Sequence, residues 1–239
     1  MRVAGLDGYI DDDKPAAKKS GENLAQAVAA SLEEDIVFGR LHPRERLVEE
    51  DLTERYQVKR HIIRQALVIL ERLGLVERIP NRGAVVRLYS VDEVEQINDV
   101  RELLESYAAE LIPLPLDKAE IETLETIQRR HAEAVESGDQ RQVFRTNLAF
   151  HSTLFALCGN QALVEAIKDF AQKSHAYRSI FVNDKAYLRW AASAHEAIVE
   201  ALKKEDRQAL VELCRNHLAP AKNRYIETYR SRFSGSGNL

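Results

Sequence analysis

The chain is short of the residues that build disulfide frameworks, membrane spans and structureless tracts. Only two cysteines, Cys158 and Cys214, occur in 239 residues. Two thiols inside helical patterns make no disulfide framework and point to a reducing cytoplasm. No apolar run approaches the roughly 18 residues of a membrane helix, so no membrane partner is expected. Methionine and tryptophan occur once each, proline six times and glycine ten, which excludes collagen-like and Pro/Gly-rich chains. Nor does one sign of charge dominate: 34 Lys and Arg face 38 Asp and Glu, for a net charge of −4. The segment 1–20 holds Asp11-Asp12-Asp13 and Lys18-Lys19 without an apolar stretch, so it does not read as a secretory signal. It reads as a disordered lead-in, and the polar, Gly/Ser-rich 234–239 as a flexible tail.

What is present is unevenly distributed. Between Arg55 and Ser90 stand eight Lys and Arg (Arg55, Lys59, Arg60, Arg64, Arg72, Arg78, Arg82 and Arg87) against Glu71 and Glu77 alone. A basic segment on an otherwise acidic protein is an electrostatic footprint for nucleic acid.

The same segment has a recognisable order. Leu24, Ala27, Val28, Leu32, Ile36 and Val37 keep helical spacing, and His42-Pro43 forbids continuation. A short helix over 49–56 and a longer one from about 60 to 73 follow, joined by Gln57-Val58-Lys59. Two strand-like runs, 75–79 and 84–88, flank the turn Pro80-Asn81-Arg82-Gly83. Helix, helix, turn, helix and two-stranded wing describe a winged helix-turn-helix over 21–90. From 91 to 233 the pattern is helical throughout, with breaks at Pro113–Pro115, Ser137-Gly138-Asp139 and Gly159-Asn160. Helices near 91–112, 117–136, 140–158, 161–181, 184–204 and 206–232 predict an antiparallel six-helix bundle. The fold class is therefore mostly α, in two domains.

A recognition helix buries one face and offers the other to the major groove. Lys59-Arg60-His61-Ile62-Ile63-Arg64-Gln65 fits: Arg60 and Arg64 share a face while Ile63 and Leu67 point inward. Arginine can donate two hydrogen bonds to guanine O6 and N7, and Gln65 suits adenine. Arg82, beside Gly83 at the wing tip, suits a minor-groove or phosphate contact. These residues resemble the GntR superfamily, whose winged helix has the approximate pattern L-x-E-x-x-L-A-x-x-x-G-V-S-R-T-P-V-R-E-A-L, then L-x-x-x-G-L-V and R-G-A-x-V. Leu47 to Leu67, Leu70 to Arg78 and Asn81 to Val86 carry the likeness. Lys59, His61, Ile62 and Gln65 depart from the pattern's Ser, Thr, Pro and Glu, so a relative's operator does not transfer.

In the helical half, Asn147 and His151 lie four apart on one helix face, and His195 and His217 fall on later helices. Imidazoles from three helices can converge on a divalent ion with positions left open for water or a ligand; by spacing alone, three unrelated half-buried histidines are the better reading. The bundle is similar to the FCD effector domain of the FadR-type branch, in its shorter VanR-like form. Metal-binding FCD domains carry D/N-x-x-F-H, a histidine opening H-x-x-I-x-x-A-L, and a third histidine in the last helix. The resemblance thus implies a site at Asn147, His151, His195 and His217 for Zn²⁺, Ni²⁺ or Mn²⁺. It also marks Arg101, in Val100-Arg-Glu-Leu-Leu-Glu105, as a holder of a small carboxylate effector. Tyr177 and Arg178 are further effector-pocket candidates, whereas His131 and His175 match no ligand position and read as structural.

The function expected is that of a ligand-responsive transcription regulator, a repressor in the commoner family behaviour, acting as a homodimer on palindromic operator DNA. Two alternatives stand beside it: a DNA-binding protein whose bundle only dimerises, and a helical metallohydrolase. The hydrolase is disfavoured, because no HExxH, paired-carboxylate or His-Asp motif supplies the general base such chemistry needs.

Overall fold

The computed structural model describes residues 21–80, 83–178 and 184–233. The expected lead-in and tail, and Arg82, lie outside the described residues. The described residues fall into two compact units. One holds the segment up to Ser90 together with Ala171–Ile180; the other holds Val91–Phe170 and the segment from Phe181 onward.

The first unit runs α1 (Gly21–Val37), β1 (Arg46–Leu47), α2 (Glu49–Tyr56), α3 (Arg60–Arg72), β2 (Val76–Ile79) and β3 (Gly83–Val86). Helices α1 and α3 pack face to face through the apolar stripes legible in the sequence. Leu32, Ile36, Ile63, Ala66, Leu67 and Leu70 are all essentially inaccessible. Each such aliphatic side chain contributes about 1.5–3 kcal/mol by leaving water. Asp35, buried at the end of α1, is compensated twice: Arg40 Nε donates to it at 2.6 Å and Arg55 Nη2 at 2.5 Å. The second of these ties α2 to α1.

The wing differs from the expected hairpin by one strand. The sheet is three-stranded and antiparallel in the order β1-β3-β2, and β1, only two residues long, is too short to leave a periodic signal. Arg46 pairs with Val85 and Leu47 with Ala84. Gly83 makes this pairing possible. Its φ is +91°, and a Cβ there would stand 2.0 Å from the carbonyl oxygen of Leu47. Gly83→Ala is therefore expected to lower stability by more than about 2 kcal/mol, read as a fall in the urea midpoint at constant slope; an unchanged midpoint contradicts the close approach.

The second unit contains α4 (Val91–Leu111), α5 (Lys118–Ser137), α6 (Gln140–Ala156), the first part of α7 (Gln161–Arg178), α8 (Lys185–Lys203), α9 (Arg207–Asn216) and α10 (Ala219–Phe233). Aspartates start several of these helices. Asp117 forms a reciprocal capping box with Glu120, and Asp139, Asp184 and Asp206 each accept from a backbone N–H of the first turn. Such caps contribute about 1 kcal/mol each. The long final helix expected over 206–232 is interrupted: α9 ends at Asn216 and α10 opens at Ala219. Pro220 explains the break, since a proline deep in one continuous helix lacks the N–H and collides with the carbonyl four residues back, whereas a first turn tolerates it. Phe150, Leu154, Ile198, Leu202 and Leu210 form the centre of the core. Helix α5 packs on α6 and α8, and α9 on α4 and α8. None of the described helices is long and apolar enough to cross a membrane.

Candidate nucleic-acid interface and candidate metal centre

Helix α3 presents a polar face built as its periodicity demands. Ile62, Ile63, Ala66 and Leu67 are buried, while Lys59, Arg60, His61, Arg64 and Gln65 are exposed. Lys59 is the residue before the first turn, so all five expected reading residues cluster at the helix N-terminal end. Gly83, expected at the wing tip, is buried and opens β3.

One member of this surface was not singled out from the sequence. Glu49, the first residue of α2, accepts from Arg64 Nε at 3.0 and 3.1 Å and stands 3.8 Å from Arg60 Nε. Both arginines remain more than half exposed, at 57% and 59%. The Glu49 carboxylate thus holds the two cations of the reading face together. The only signal for it was the acidic opening of α2, Glu49-Glu50-Asp51.

In the helical unit three imidazoles converge. His151 on α6, His195 on α8 and His217 just after α9 offer nitrogen atoms that all lie within 4.8 Å of one another. The Nε2 atoms of His151 and His195 are 3.2 Å apart. Two nitrogens each about 2.1 Å from one ion and roughly 100° apart have about that separation, so the donor set fits a divalent metal. His195 is wholly buried and His217 nearly so. Flat rings fix their planes: Phe150 stacks on His195 at 4.1 Å between centroids, and Trp190 on His217 at 5.4 Å. Asn147 is buried one turn before His151. A fourth histidine, His131 on α5, joins the cluster, its ring 4.9 Å from that of His195 although it reads as structural in the sequence. It matches no ligand pattern, and only the packing of α5 on α8 brings it there.

Arg101 is buried on α4, and its guanidinium bonds to Glu105 at 2.8 and 2.9 Å. Cys214, three residues before His217, is near enough to Glu105 to feel its charge; burial first, and that carboxylate second, push the thiol well above its ordinary range. Its thiolate is suppressed, which makes it an unreactive packing residue. Tyr177 belongs to the other unit, where its ring meets Tyr89 edge to face at 6.0 Å. The side chain of Arg178 lies outside the described residues. His175, also in that unit, bonds to Glu33 at 2.8 Å, a packing role consistent with its reading.

Comparison with known proteins agrees with both halves. The model of the bacterial regulatory proteins of the gntR family matches residues 24–86, and that of the FCD domain matches 96–220, more than half of the chain. The YdhC regulator of Bacillus subtilis, described as an uncharacterized HTH-type transcriptional regulator, is 26% identical over 74% of this chain and 80% of its own length. The HTH-type transcriptional regulator McbR of Escherichia coli is 24% identical over 82% of this chain and 88% of its own. Two solved structures share the fold: E. coli McbR/YncC, with a TM-score of 0.74 at 21% identity over 86% of this chain and 98% of that one, and a GntR regulator from Rhodococcus sp. RHA1, with a TM-score of 0.73 at 21% identity over 86% and 99%. These families and relatives are regulators, not enzymes, which sets the hydrolase alternative aside. The chain belongs to the GntR family of DNA-binding transcription regulators, with an FCD domain behind its helix-turn-helix.

Proposed function

We propose that this regulator is a ligand-responsive repressor whose helical part, 91–233, binds one divalent metal ion and a small organic acid, and whose winged helix, 21–90, binds palindromic operator DNA. The observation that carries the reading is the convergence of His151, His195 and His217 from three elements onto one point. Three neutral imidazoles suit Zn²⁺ or Ni²⁺ better than the oxygen-preferring Mn²⁺, and Asn147, one turn before His151 on α6, is the fourth ligand of this reading. When bound, the ion supplies a Lewis-acidic anchor for a carboxylate. Arg101 offers a second cationic anchor, provided that an incoming carboxylate displaces Glu105. A ligand shifts DNA binding only by its differential affinity for the two arrangements of the protein. The test is a thermal-shift screen of organic and aromatic acids with and without Zn²⁺ or Ni²⁺. Metal alone is expected to raise Tm, a subset of acids to raise it further only with metal present, and the same acids to weaken promoter binding. A Tm indifferent to both metals would leave a bundle that only dimerises.

The proposal includes a second copy of the chain, seated on α4. Leu103, Tyr107 and Leu111, four residues apart on one face, are 70%, 50% and 38% exposed, an unusual apolar stripe for a soluble surface. Beside it stand Asp99, Glu102 and Glu110 with Arg215, which already pairs with Glu102 at 3.4 Å. Charges of both signs around one apolar stripe suit an isologous two-fold contact, in which each copy sets its acids against the other's arginine. Tyr107→Glu would place two carboxylates across the two-fold axis. Sedimentation is expected to shift from dimer to monomer at micromolar protein, with operator affinity falling at least tenfold; an intact dimer rejects this face.

A further inference from the structure

We infer that Glu49 is a specificity-determining residue, a carboxylate that discounts phosphate contacts at Arg60 and Arg64 and so favours base edges there. The inference concerns the winged helix alone and is independent of the metal reading. The two oxygens of Glu49 accept from Arg64 Nε at 3.1 and 3.0 Å, and Arg60 Nε is 3.8 Å away. The Glu49 side chain is 19% exposed against 57% and 59% for the arginines, so the cations form the outer surface and the acid backs them. Its contact with Arg64 occupies Nε, and a guanidinium has four more N–H donors on its terminal nitrogens. The same balance recurs alongside. Glu49 and Arg64 line a cleft between α3 and the sheet together with Glu71 and Arg78, and Arg78 Nε donates to Glu71 at 2.6 Å. Both arginines among the described residues of the cleft therefore carry an acid of their own.

Phosphate and a base edge meet this arrangement differently. Affinity for random DNA comes from neutralising phosphates with lysine and arginine. At Arg60 and Arg64 the positive charge is already matched in part by Glu49, and a phosphate brought to them comes close to a like charge. Like charges set against each other in an interface suppress the wrong partner. A guanine edge instead presents O6 and N7, two neutral acceptors, to a bidentate arginine. It brings no anion towards Glu49, and the terminal nitrogens can meet it even with the carboxylate still on Nε. Glu49 therefore subtracts more from random DNA than from a site with bases to read. Specificity is a difference of two affinities, and a repulsive element widens it by weakening the unwanted one.

The experiment is fluorescence anisotropy of the full chain at several salt concentrations, with a random duplex and with a duplex enriched from a random pool by the wild-type protein. Glu49→Gln removes the charge and keeps an oxygen that can accept from Arg64 Nε. It is expected to bind the random duplex about fivefold more tightly, with a salt slope steeper by about one. Its affinity for the enriched duplex is expected to stay within about twofold of wild type, so the ratio of the two affinities falls. Glu50→Gln makes the same charge change at an exposed neighbour, about 100° further around α2, and is expected to keep the wild-type ratio. An unchanged ratio in Glu49→Gln overturns the inference. So does an equal fall of the ratio in Glu50→Gln, which makes the effect one of net charge. A ratio that falls only because the enriched duplex is lost assigns Glu49 to orienting Arg64, and overturns the inference as well.

Discussion

His151→Ala is expected to lose its divalent ion altogether, from about one per chain to none after dialysis, while promoter binding by the metal-free protein stays within about twofold of wild type. The site has three imidazoles, and a removed ligand leaves two nitrogens, too few to compete with water and buffer for Zn²⁺ or Ni²⁺. His151 is the right member to remove. It is only half-buried, whereas removing His195 would leave a void at the heart of the core beneath Phe150. An ion at 100 times its Kd stabilises the native state by about 2.7 kcal/mol. Wild type should therefore gain several degrees in Tm on metal addition, and the variant nothing. Elemental analysis decides the matter: undiminished metal in His151→Ala means that the ion sits elsewhere.

Arg64→Ala is expected to reduce operator affinity by about 1–3 kcal/mol, or roughly 5- to 150-fold, and to flatten the preference for specific over random DNA. The expectation follows from α3, which seats Ile63 and Leu67 in the core and so aims Arg64 outward near the helix start. In the free protein the guanidinium is held by Glu49. An exposed pair of this kind is worth about 0–1 kcal/mol, so a guanine edge with two acceptors can win the arginine at small cost. Fragments enriched from a random pool by the wild-type protein supply the specific DNA. Should the variant retain the wild-type ratio of enriched to random affinity, Arg64 contacts phosphate and reads no base.

Much of the fold was legible because its signals are local. Leu32, Ile36, Ile63, Leu67 and Leu70 show their helical stripe in the sequence and are buried in the structure. Asp117, Asp139, Asp184 and Asp206 announce helix starts that they do cap. The sequence was blind where a feature depends on a distant partner. Strand β1 exists because Gly83 lets Leu47 approach. Glu49 reaches Arg64 across fifteen residues of chain. The ring contact of Tyr177 with Tyr89 likewise joins residues 88 positions apart, which no local pattern announces.

The amino-acid order by itself determined the winged helix, the run of helices behind it, the basic reading face and the histidines that stand at family positions. The first three follow from periodicity, capping or short spacing, interactions that act within a few turns of one chain; the histidines stand out through the family resemblance. Only the tertiary structure decided that His151, His195 and His217 share a point, that His131 joins them, that Arg101 is buried against Glu105, and that Leu103, Tyr107 and Leu111 are left facing water. Those outcomes depend on how helix faces choose one another across the core. That choice is made by side-chain shape and volume summed over every packed pair, and no stretch of sequence carries it alone.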